Sequence, residues 1–238
     1  MRPAGFWRRS AAWSLDAALV AVPVLALCWN TLRGTAPALA GAWAALVEAV
    51  ARGMAAAIKA SAQGSAPDAV ALAGLVRGSM RDPVLLAASA ELQSTLLAFA
   101  GPPLAAFVAV FFLWCACFER SRLRATPGKR ALGLRVAGPG DTAPGTGAVL
   151  LRFAAGSLSW LSLNVGHMLA ALPPDHAALH DRISRTRVVL APAAAEPMPR
   201  WAQGWLVALA ATLLLATFGV SMAMGAAMQA AIDRALWG

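Results

Sequence analysis

Long stretches without charged residues dominate the pattern of hydrophobic and polar positions along this chain. Three of them, residues 92–118, 153–174 and 201–232, carry no charged residue, and a fourth, residues 10–30, carries one, Asp16. A helix needs about 20 residues to cross the roughly 30 Å of hydrocarbon in a bilayer. Each stretch is long enough, so the pattern predicts an all-α polytopic membrane protein built as a small helical bundle.

Composition narrows the class of protein further. The 238 residues are 59% hydrophobic and 13% charged, whereas soluble domains contain about 25% charged residues. This balance excludes a soluble enzyme, a coiled coil and an intrinsically disordered chain. A net charge of +9 is compatible with nucleic-acid binding. In so apolar a chain it favours loops that contact the anionic headgroups of a bilayer, with no nucleic-acid partner.

The basic residues orient the chain, because cytoplasmic loops carry an excess of Lys and Arg. Residues 1–9 contain three Arg and no acid, residues 119–136 contain six basic residues against one acid, and residues 172–200 contain four against three. Residues 31–82 are more balanced, with five basic residues against three acids. We therefore expect a cytoplasmic N-terminus and an outer location for residues 31–82.

The apolar stretch 153–174 does not fit a simple crossing, since both of its flanks are basic. It also contains Asn164-Val165-Gly166, a sequence typical of a helix break. We favour a membrane-embedded helical hairpin that returns to the cytoplasm, and a plain crossing is the alternative. The expected bundle thus has three transmembrane helices plus this hairpin.

The long region after the first span is predicted to be helical and to lie on the outer side of the membrane. Residues 38–60 carry charges at Glu48, Arg52 and Lys59, which share one stripe of a helix. This amphipathic pattern is typical of a helix that lies on the membrane surface or on the bundle.

Prolines predict where other helices begin. Pro67-Asp68 and Asp82-Pro83 are typical of helix starts. Pro102-Pro103 is expected to interrupt the second apolar stretch, so that the span restarts there and runs to Arg120.

Two short segments predict strands. Residues 131–136 alternate between apolar and other positions, a turn sequence follows at residues 138–141, and residues 186–190 form a second β-rich run. The two strands are expected to pair as a minor cytoplasmic sheet under the bundle.

Asp16 is the strongest functional signal, because an ionisable group in a spanning helix costs about 2.5–3.5 kcal/mol on insertion scales. Arg9 lies two helical turns earlier on the same face, too far away for direct contact. Asp16 is therefore expected to meet Arg152, a basic residue of the 182–187 run, or water. Asp16 is half of a structural ion pair, a proton or ion site, or an interfacial residue without a role. Arg152 itself either snorkels to the headgroups or is the counter-charge to Asp16 or Asp181.

The segment around Asp181 combines imidazoles with a carboxylate. His176 and His180 are four residues apart, a spacing that can hold a metal on a helix. No Glu lies between them and no second cluster exists in the sequence, so no metal site is predicted. A salt-bridge network around Asp181 is expected instead, with Arg182, Arg185 and Arg187.

The segment Thr126-Pro127-Gly128-Lys129-Arg130 invites comparison with a phosphate-binding loop. It lacks the second glycine and the Lys-Ser/Thr ending that such a loop needs. We interpret it as a tight turn that carries basic residues near the headgroups. The sequence contains no catalytic constellation, so neither an enzyme nor a cofactor is predicted.

Four motifs in this order resemble the RDD family of prokaryotic membrane proteins. They are Gly5-Phe6-Trp7-Arg8-Arg9 with Asp16, Thr126-Pro127-Gly128-Lys129-Arg130 with Gly133, Leu150-Leu151-Arg152-Phe153, and Ala178-Leu179-His180-Asp181-Arg182 with Arg187. The resemblance assigns the family arginine to Arg9 and the two family aspartates to Asp16 and Asp181.

The resemblance covers residues 1–30 and 96–190. It leaves residues 31–95 as an outer helical insertion, residues 191–200 as a linker and residues 201–232 as a C-terminal transmembrane helix. It implies a multi-pass protein of the bacterial inner membrane, with a transport role suggested for the family.

Two functions remain open on this basis. The first is a small transporter or an ion- or proton-coupled exchanger in which Asp16 is the coupling carboxylate. It would work as a homo-oligomer, because three or four spans barely enclose a path. The alternative is a non-transporting scaffold or assembly protein in which Arg9, Asp16, Arg152 and Asp181 hold the helices together.

Overall fold

The computed structural model describes residues 2–62, 74, 77–78, 81–173 and 176–238. The chain divides into two compact units, of which the first contains Met1–Ala26 and Ala105–Ala211 and the second contains Leu27–Leu104 and Thr212–Gly238. The helices and strands in chain order are α1 (Phe6–Leu27), α2 (Trp29–Ala62), α3 (Pro83–Arg120), α4 (Pro127–Ala131), β1 (Leu134–Ala137), α5 (Thr146–Leu161), α6 (Val165–Met168), α7 (Leu179–Ile183), β2 (Arg187–Leu190) and α8 (Arg200–Trp237), with short 3-10 turns at Pro139–Asp141 and Leu169–Ala171.

Within the described residues, four helices are long and apolar enough to span a membrane, namely α1, α2, α3 and α8. The all-α polytopic class is therefore confirmed. Helix α2 has the length and hydropathy of a span in addition to the three helices expected. Helix α2 keeps the hydropathy of a span because its charges at Glu48, Arg52 and Lys59 are few and widely spaced.

The proline-based predictions of helix starts and interruptions have different outcomes. Helix α3 begins at Pro83, and the Val84 amide donates a hydrogen bond to Asp82 Oδ1 at 2.8 Å, which confirms the predicted helix start. The predicted interruption at Pro102-Pro103 is wrong, since α3 continues through both residues. Proline removes one backbone donor, and membrane helices tolerate that loss inside a span. The predicted start at Pro67-Asp68 lies outside the described residues.

The predicted strand pair is confirmed in the first unit. Strands β1 and β2 are antiparallel, with Val136 opposite Val188. The N-terminal segment joins their edge, because the Ala4 amide donates to the Val188 carbonyl at 3.0 Å. The side chains of Leu134 and Val188 then pack with Ala11 of α1 in one buried core cluster.

The strand pairing also settles how the segment between the strands runs. Because β1 and β2 are hydrogen-bonded neighbours, they lie on the same side of the membrane, and residues 138–186 must begin and end on that side. A plain crossing by residues 153–174 is therefore wrong. Helix α5 ends at Leu161, and Leu163 and Asn164 adopt positive φ angles of 52° and 66°, so the predicted helix break is confirmed.

The chain after the break packs back onto α5. Gly166 of α6 lies so close to α5 that an added Cβ would be 2.9 Å from Ser159 Cβ. Helix α7 also packs on α5. This short helical hairpin brings α7 beside the start of α5, which positions the site described below.

The second unit contains a packed pair of helix segments. Val47 and Ala51 of α2 form a buried cluster with Ala231 of α8. An ion pair supports it, since Arg234 Nη2 lies 2.5 Å from Glu48 Oε1.

Candidate functional site

Asp16 is buried in the first unit, where α1 meets the start of α4. Thr126 caps α4, and its hydroxyl donates a hydrogen bond to Asp16 Oδ2. The Gly128 amide donates to Asp16 Oδ1 at 2.8 Å, and the Trp114 indole donates to the same oxygen at 3.1 Å. Asp16 is 2% exposed, so these donors replace the water that a carboxylate needs.

Gly128 makes this contact possible because it has no side chain. A Cβ at this position would be 2.8 Å from Asp16 Cγ and would overlap the carbonyl oxygen of Ala12. Pro127 occupies the first turn of α4, where its missing amide hydrogen costs nothing. The Thr-Pro-Gly sequence therefore builds a helix start that fits against α1.

The prediction of a basic partner for Asp16 is wrong. The sequence suggested Arg152, a basic residue of the 182–187 run, or water, whereas Asp16 accepts hydrogen bonds from neutral groups of Thr126, Gly128 and Trp114. Arg152 is held elsewhere by two other carboxylates.

Asp181 lies at the centre of a second buried cluster. Arg9 Nη2 lies 2.5 Å from Asp181 Oδ2, and Arg152 pairs with Asp181 Oδ1. The Ala178 amide donates to Asp181 Oδ2 at 2.9 Å. Arg152 also donates to Thr186 Oγ1 at 2.9 Å. The cluster therefore joins α1, α5, α7 and the start of β2, and the Asp181 side chain has no exposed surface.

The Asp181 network differs from the expected one in its members. Arg182, Arg185 and Arg187 were expected around the carboxylate, whereas Arg9 and Arg152 form the ion pairs with it. The physical reason is that Arg182, Arg185 and Arg187 are exposed, whereas Arg9 of α1 and Arg152 of α5 reach the buried carboxylate.

Glu119 extends the cluster, and the sequence analysis did not single it out. Its Oε1 lies 2.6 Å from Lys129 Nζ, and its Oε2 lies 3.5 Å from Arg152 Nε. The charges thus alternate along one chain of contacts from Arg9 through Asp181, Arg152 and Glu119 to Lys129. A sequence signal for Glu119 existed, because it is the single acid among six basic residues in 119–136.

The electrostatics of the cluster fix its protonation states. Burial alone would raise the pKa of the Asp181 carboxyl, but the guanidinium groups of Arg152 and Arg9 outweigh it and hold that pKa well below its usual range. Burial would lower the pKa of Lys129, and the adjacent Glu119 carboxylate raises it instead. Burial and the Arg152 charge lower the pKa of His180 to about 2, so its ring is neutral at physiological pH.

A cavity of about 350 Å³ lies beside this cluster, within the first unit. Its polar wall includes Arg9, Lys129, Arg152, His167 and His180, and the remaining lining is largely apolar. The carboxylates of Asp181 and Glu119 lie behind these groups, with side chains 0% and 4% exposed. The cavity therefore presents positive charge in an apolar surrounding. We call it the central cavity.

The other residues of the predicted motifs lie away from the central cavity. Gly133 has a positive φ of 62° between α4 and β1, and its carbonyl accepts a hydrogen bond from the Ala191 amide at 2.8 Å. Arg130 is exposed. Arg182 and Arg187 line a separate cleft. Among the described residues, no group of three or more His, Cys, Asp or Glu side chains could hold a metal ion.

These features define a class: a multi-pass helical membrane protein in which Arg9, Asp181, Arg152, Glu119 and Lys129 form one buried charged cluster. A comparison with protein families matches residues 3–185 to the RDD family, and the chain belongs to this family. The match extends from the N-terminal segment to the residue before Thr186, and α8 follows it. No curated protein and no solved structure matches the chain significantly.

Proposed function

We propose that this RDD family protein is a transporter of small organic anions and that the central cavity is its binding site. The observation that carries the proposal is the set of three cations, Arg9, Lys129 and Arg152, on the wall of a largely apolar cavity. A volume of about 350 Å³ falls in the range of sites for small molecules. The role is a transport role, with no catalysis.

The sign of the charge favours an anion over a cation. The carboxylates nearest the cavity are already paired with Arg9, Arg152 and Lys129, and they lie behind those groups. A metal cation or proton entering the cavity would first meet guanidinium and ammonium groups. An anion would meet donors suited to it, because arginine presents several N–H groups to a carboxylate, sulfonate or phosphate.

Asp16 has a structural role in this proposal and is not the coupling carboxylate. It does not line the central cavity, and each of its oxygens accepts a hydrogen bond from α3, α4 or the α4 cap. A coupling carboxylate needs to exchange its proton with water, and Asp16 is 2% exposed.

A membrane scaffold is the second candidate. The observation that favours it is that Asp16, Glu119 and Asp181 are each fully engaged by groups of the protein itself. Such a network holds α1, α3, α4, α5 and α7 together without any ligand.

We further propose that the protein lies in the bacterial inner membrane with its N-terminus in the cytoplasm. The support is the positive charge of the segments at one end of the bundle, because residues 119–136 carry six basic residues against one acid.

A charge-matched pair of probes tests the anion proposal. Benzenesulfonate is anionic at every working pH, and benzenesulfonamide has nearly the same shape without the charge. The full chain is purified in detergent, its thermal midpoint is measured with each probe, and efflux of labelled benzenesulfonate is followed from proteoliposomes. We expect benzenesulfonate to raise the midpoint and to cross the membrane, and the sulfonamide to do neither.

Two variants of one cavity residue provide the control. Ser10 lines the central cavity, and its hydroxyl bonds to the Phe6 carbonyl of its own helix. Ser10→Phe fills the space and is expected to abolish binding and efflux, whereas Ser10→Ala keeps the space and both activities. Equal stabilisation by the two probes, or efflux that survives Ser10→Phe, would leave the scaffold as the better explanation.

A further inference from the structure

We propose that a second site, the arginine cleft, binds the phosphate group of an anionic phospholipid headgroup. The arginine cleft is the space of about 650 Å³ between the end of α7, the following turn and the turn after β1. Arg182, Arg185 and Arg187 supply its charge, and Gly138 and Gly140 belong to its opposite wall. None of its described lining residues also lines the central cavity, so the proposal does not depend on the function proposed above.

The backbone directs three arginines into one concave surface. The Arg185 amide donates to the Arg182 carbonyl at 3.3 Å, and the Thr186 amide donates to the Asp181 carbonyl at 3.0 Å. This turn places Arg185 at a φ of 53°, a left-handed conformation that a non-glycine residue adopts at a cost. Conformations of this kind persist where the surrounding structure imposes them, and they are concentrated at functional sites.

The opposite wall leaves room for a ligand. Gly140 has a φ of 68°, and a Cβ built there would have no neighbour within 4 Å. Guanidinium groups bind phosphate oxygens through paired N–H donors. A phosphate in this cleft would therefore meet the guanidinium groups of Arg182 and Arg185 on one side and the short turn of residues 138–140 on the other.

Two acidic residues that the structure describes beside the cleft are held by other groups of the protein. Asp181 belongs to the lining, but its carboxylate has no exposed surface because Arg9 and Arg152 hold it. Asp141 follows the Gly140 wall, and its Oδ2 accepts a hydrogen bond from Arg135 at 2.7 Å.

The position of the arginine cleft at the end of a membrane span favours a lipid ligand over a soluble phosphate. Asp181, at the edge of the cleft, pairs with Arg9 in the first turns of α1, so the cleft lies at the end of a membrane span. Trp7 of α1 and Trp201 of α8 are both exposed at the starts of their helices. Exposed tryptophans at helix ends are typical of the headgroup region of a bilayer.

Binding of short-chain lipids to the full chain tests the proposal. Dioctanoyl phosphatidylglycerol is titrated into the protein in a neutral detergent and followed by native mass spectrometry. Dioctanoyl phosphatidylcholine has the same tails with a zwitterionic headgroup, and glycerol 3-phosphate offers a phosphate without tails. We expect phosphatidylglycerol to bind at least about tenfold more tightly than either of the other two.

Variants locate the binding at the cleft. Arg185→Gln is expected to weaken phosphatidylglycerol binding about tenfold, the scale of one charged hydrogen-bonding group, and the triple change of Arg182, Arg185 and Arg187 to Gln is expected to abolish it. Arg122→Gln removes one exposed positive charge outside the cleft and is expected to leave binding unchanged.

Three results would overturn the proposal. Equal loss of binding in Arg122→Gln and Arg185→Gln would indicate diffuse attraction by the net charge. Equal binding of phosphatidylcholine would indicate recognition of the tails. Binding of glycerol 3-phosphate as tight as that of the lipid would indicate a soluble phosphate ligand. If the triple variant does not fold, the comparison of Arg185→Gln with Arg122→Gln still tests the proposal.

Discussion

At the scale of single residues, the buried carboxylates are stabilised in two different ways. Among the described residues no cation pairs with Asp16, which relies on a backbone amide, a hydroxyl and an indole. Asp181 and Glu119 are bound by arginine and lysine. Hydrogen bonds from neutral groups depend on close approach more strictly than ion pairs do, so the Asp16 contact is the less tolerant of a shift in position.

Gly128→Ala tests that dependence. An added methyl group would collide with Ala12 and with the Asp16 carboxylate, so α4 would have to move away from α1. Overpacking of this kind costs about 1–3 kcal/mol, and loss of the hydrogen bonds to Asp16 adds to it. We expect a lower unfolding midpoint in detergent, measured by the loss of helical circular dichroism on heating.

Gly156→Ala is the matched control for this change. Gly156 lies inside α5, and a Cβ there would have no neighbour within 4 Å. Alanine favours a helix interior over glycine by up to about 1 kcal/mol, so the midpoint should stay the same or rise. If both alanine variants unfolded at the temperature of the parent protein, the tight contact at Gly128 would not matter for stability.

The sequence predicted some of these residue contacts and missed others for a physical reason. The charge at Asp181 required a counter-charge, and Arg152 was one of the cations weighed for that role. The donors to Asp16 could not be predicted, because Thr126 and Gly128 are more than 100 residues away and carry no charge that would reveal them. Such a contact depends on how two segments pack, and periodicity describes each segment alone.

At the scale of elements, the sequence pattern predicted correctly those features that depend on the conformation of a few neighbouring residues. The alternation at 131–136 predicted β1, and Asn164 predicted the helix break. The Pro102-Pro103 pair was misleading, since α3 continues through both prolines and membrane helices tolerate the loss of such backbone donors. The potential of α2 to span was missed because its charges share one stripe, which is also the pattern of a surface helix.

The helix break at Asn164 gives an element-scale prediction. Asn164 has a φ of 66°, and its carbonyl accepts the amides of His167 and Met168 at the start of α6. A β-branched residue adopts this conformation at a cost of about 1–2 kcal/mol, whereas glycine adopts it freely. We expect Asn164→Val to lower the thermal midpoint in detergent and Asn164→Gly to leave it nearly unchanged. Equal midpoints for the two variants would mean that the backbone at this position is not held in the left-handed region.

At the scale of the whole molecule, the strand pair constrains the topology more strongly than hydropathy does. Apolar length alone allowed residues 153–174 to cross once, but β1 and β2 are hydrogen-bonded to each other. Hydrophobicity indicates whether a segment can enter a bilayer. Strand pairing indicates which segments lie on the same side of the bilayer. We propose that this side is the cytoplasmic one, because both flanks of this segment are basic.

Accessibility of single cysteines tests this topology. In a background where Cys28, Cys115 and Cys117 are replaced by alanine, Ala143→Cys and Ala193→Cys place one exposed thiol on each flank of the returning segment. Both are expected to be protected from a membrane-impermeant maleimide in intact cells and to react after lysis. Arg81→Cys lies in the region expected outside and should react in intact cells. Unequal protection at 143 and 193 would contradict the return of the chain, whereas reaction at both with protection at 81 would keep the return and invert the orientation.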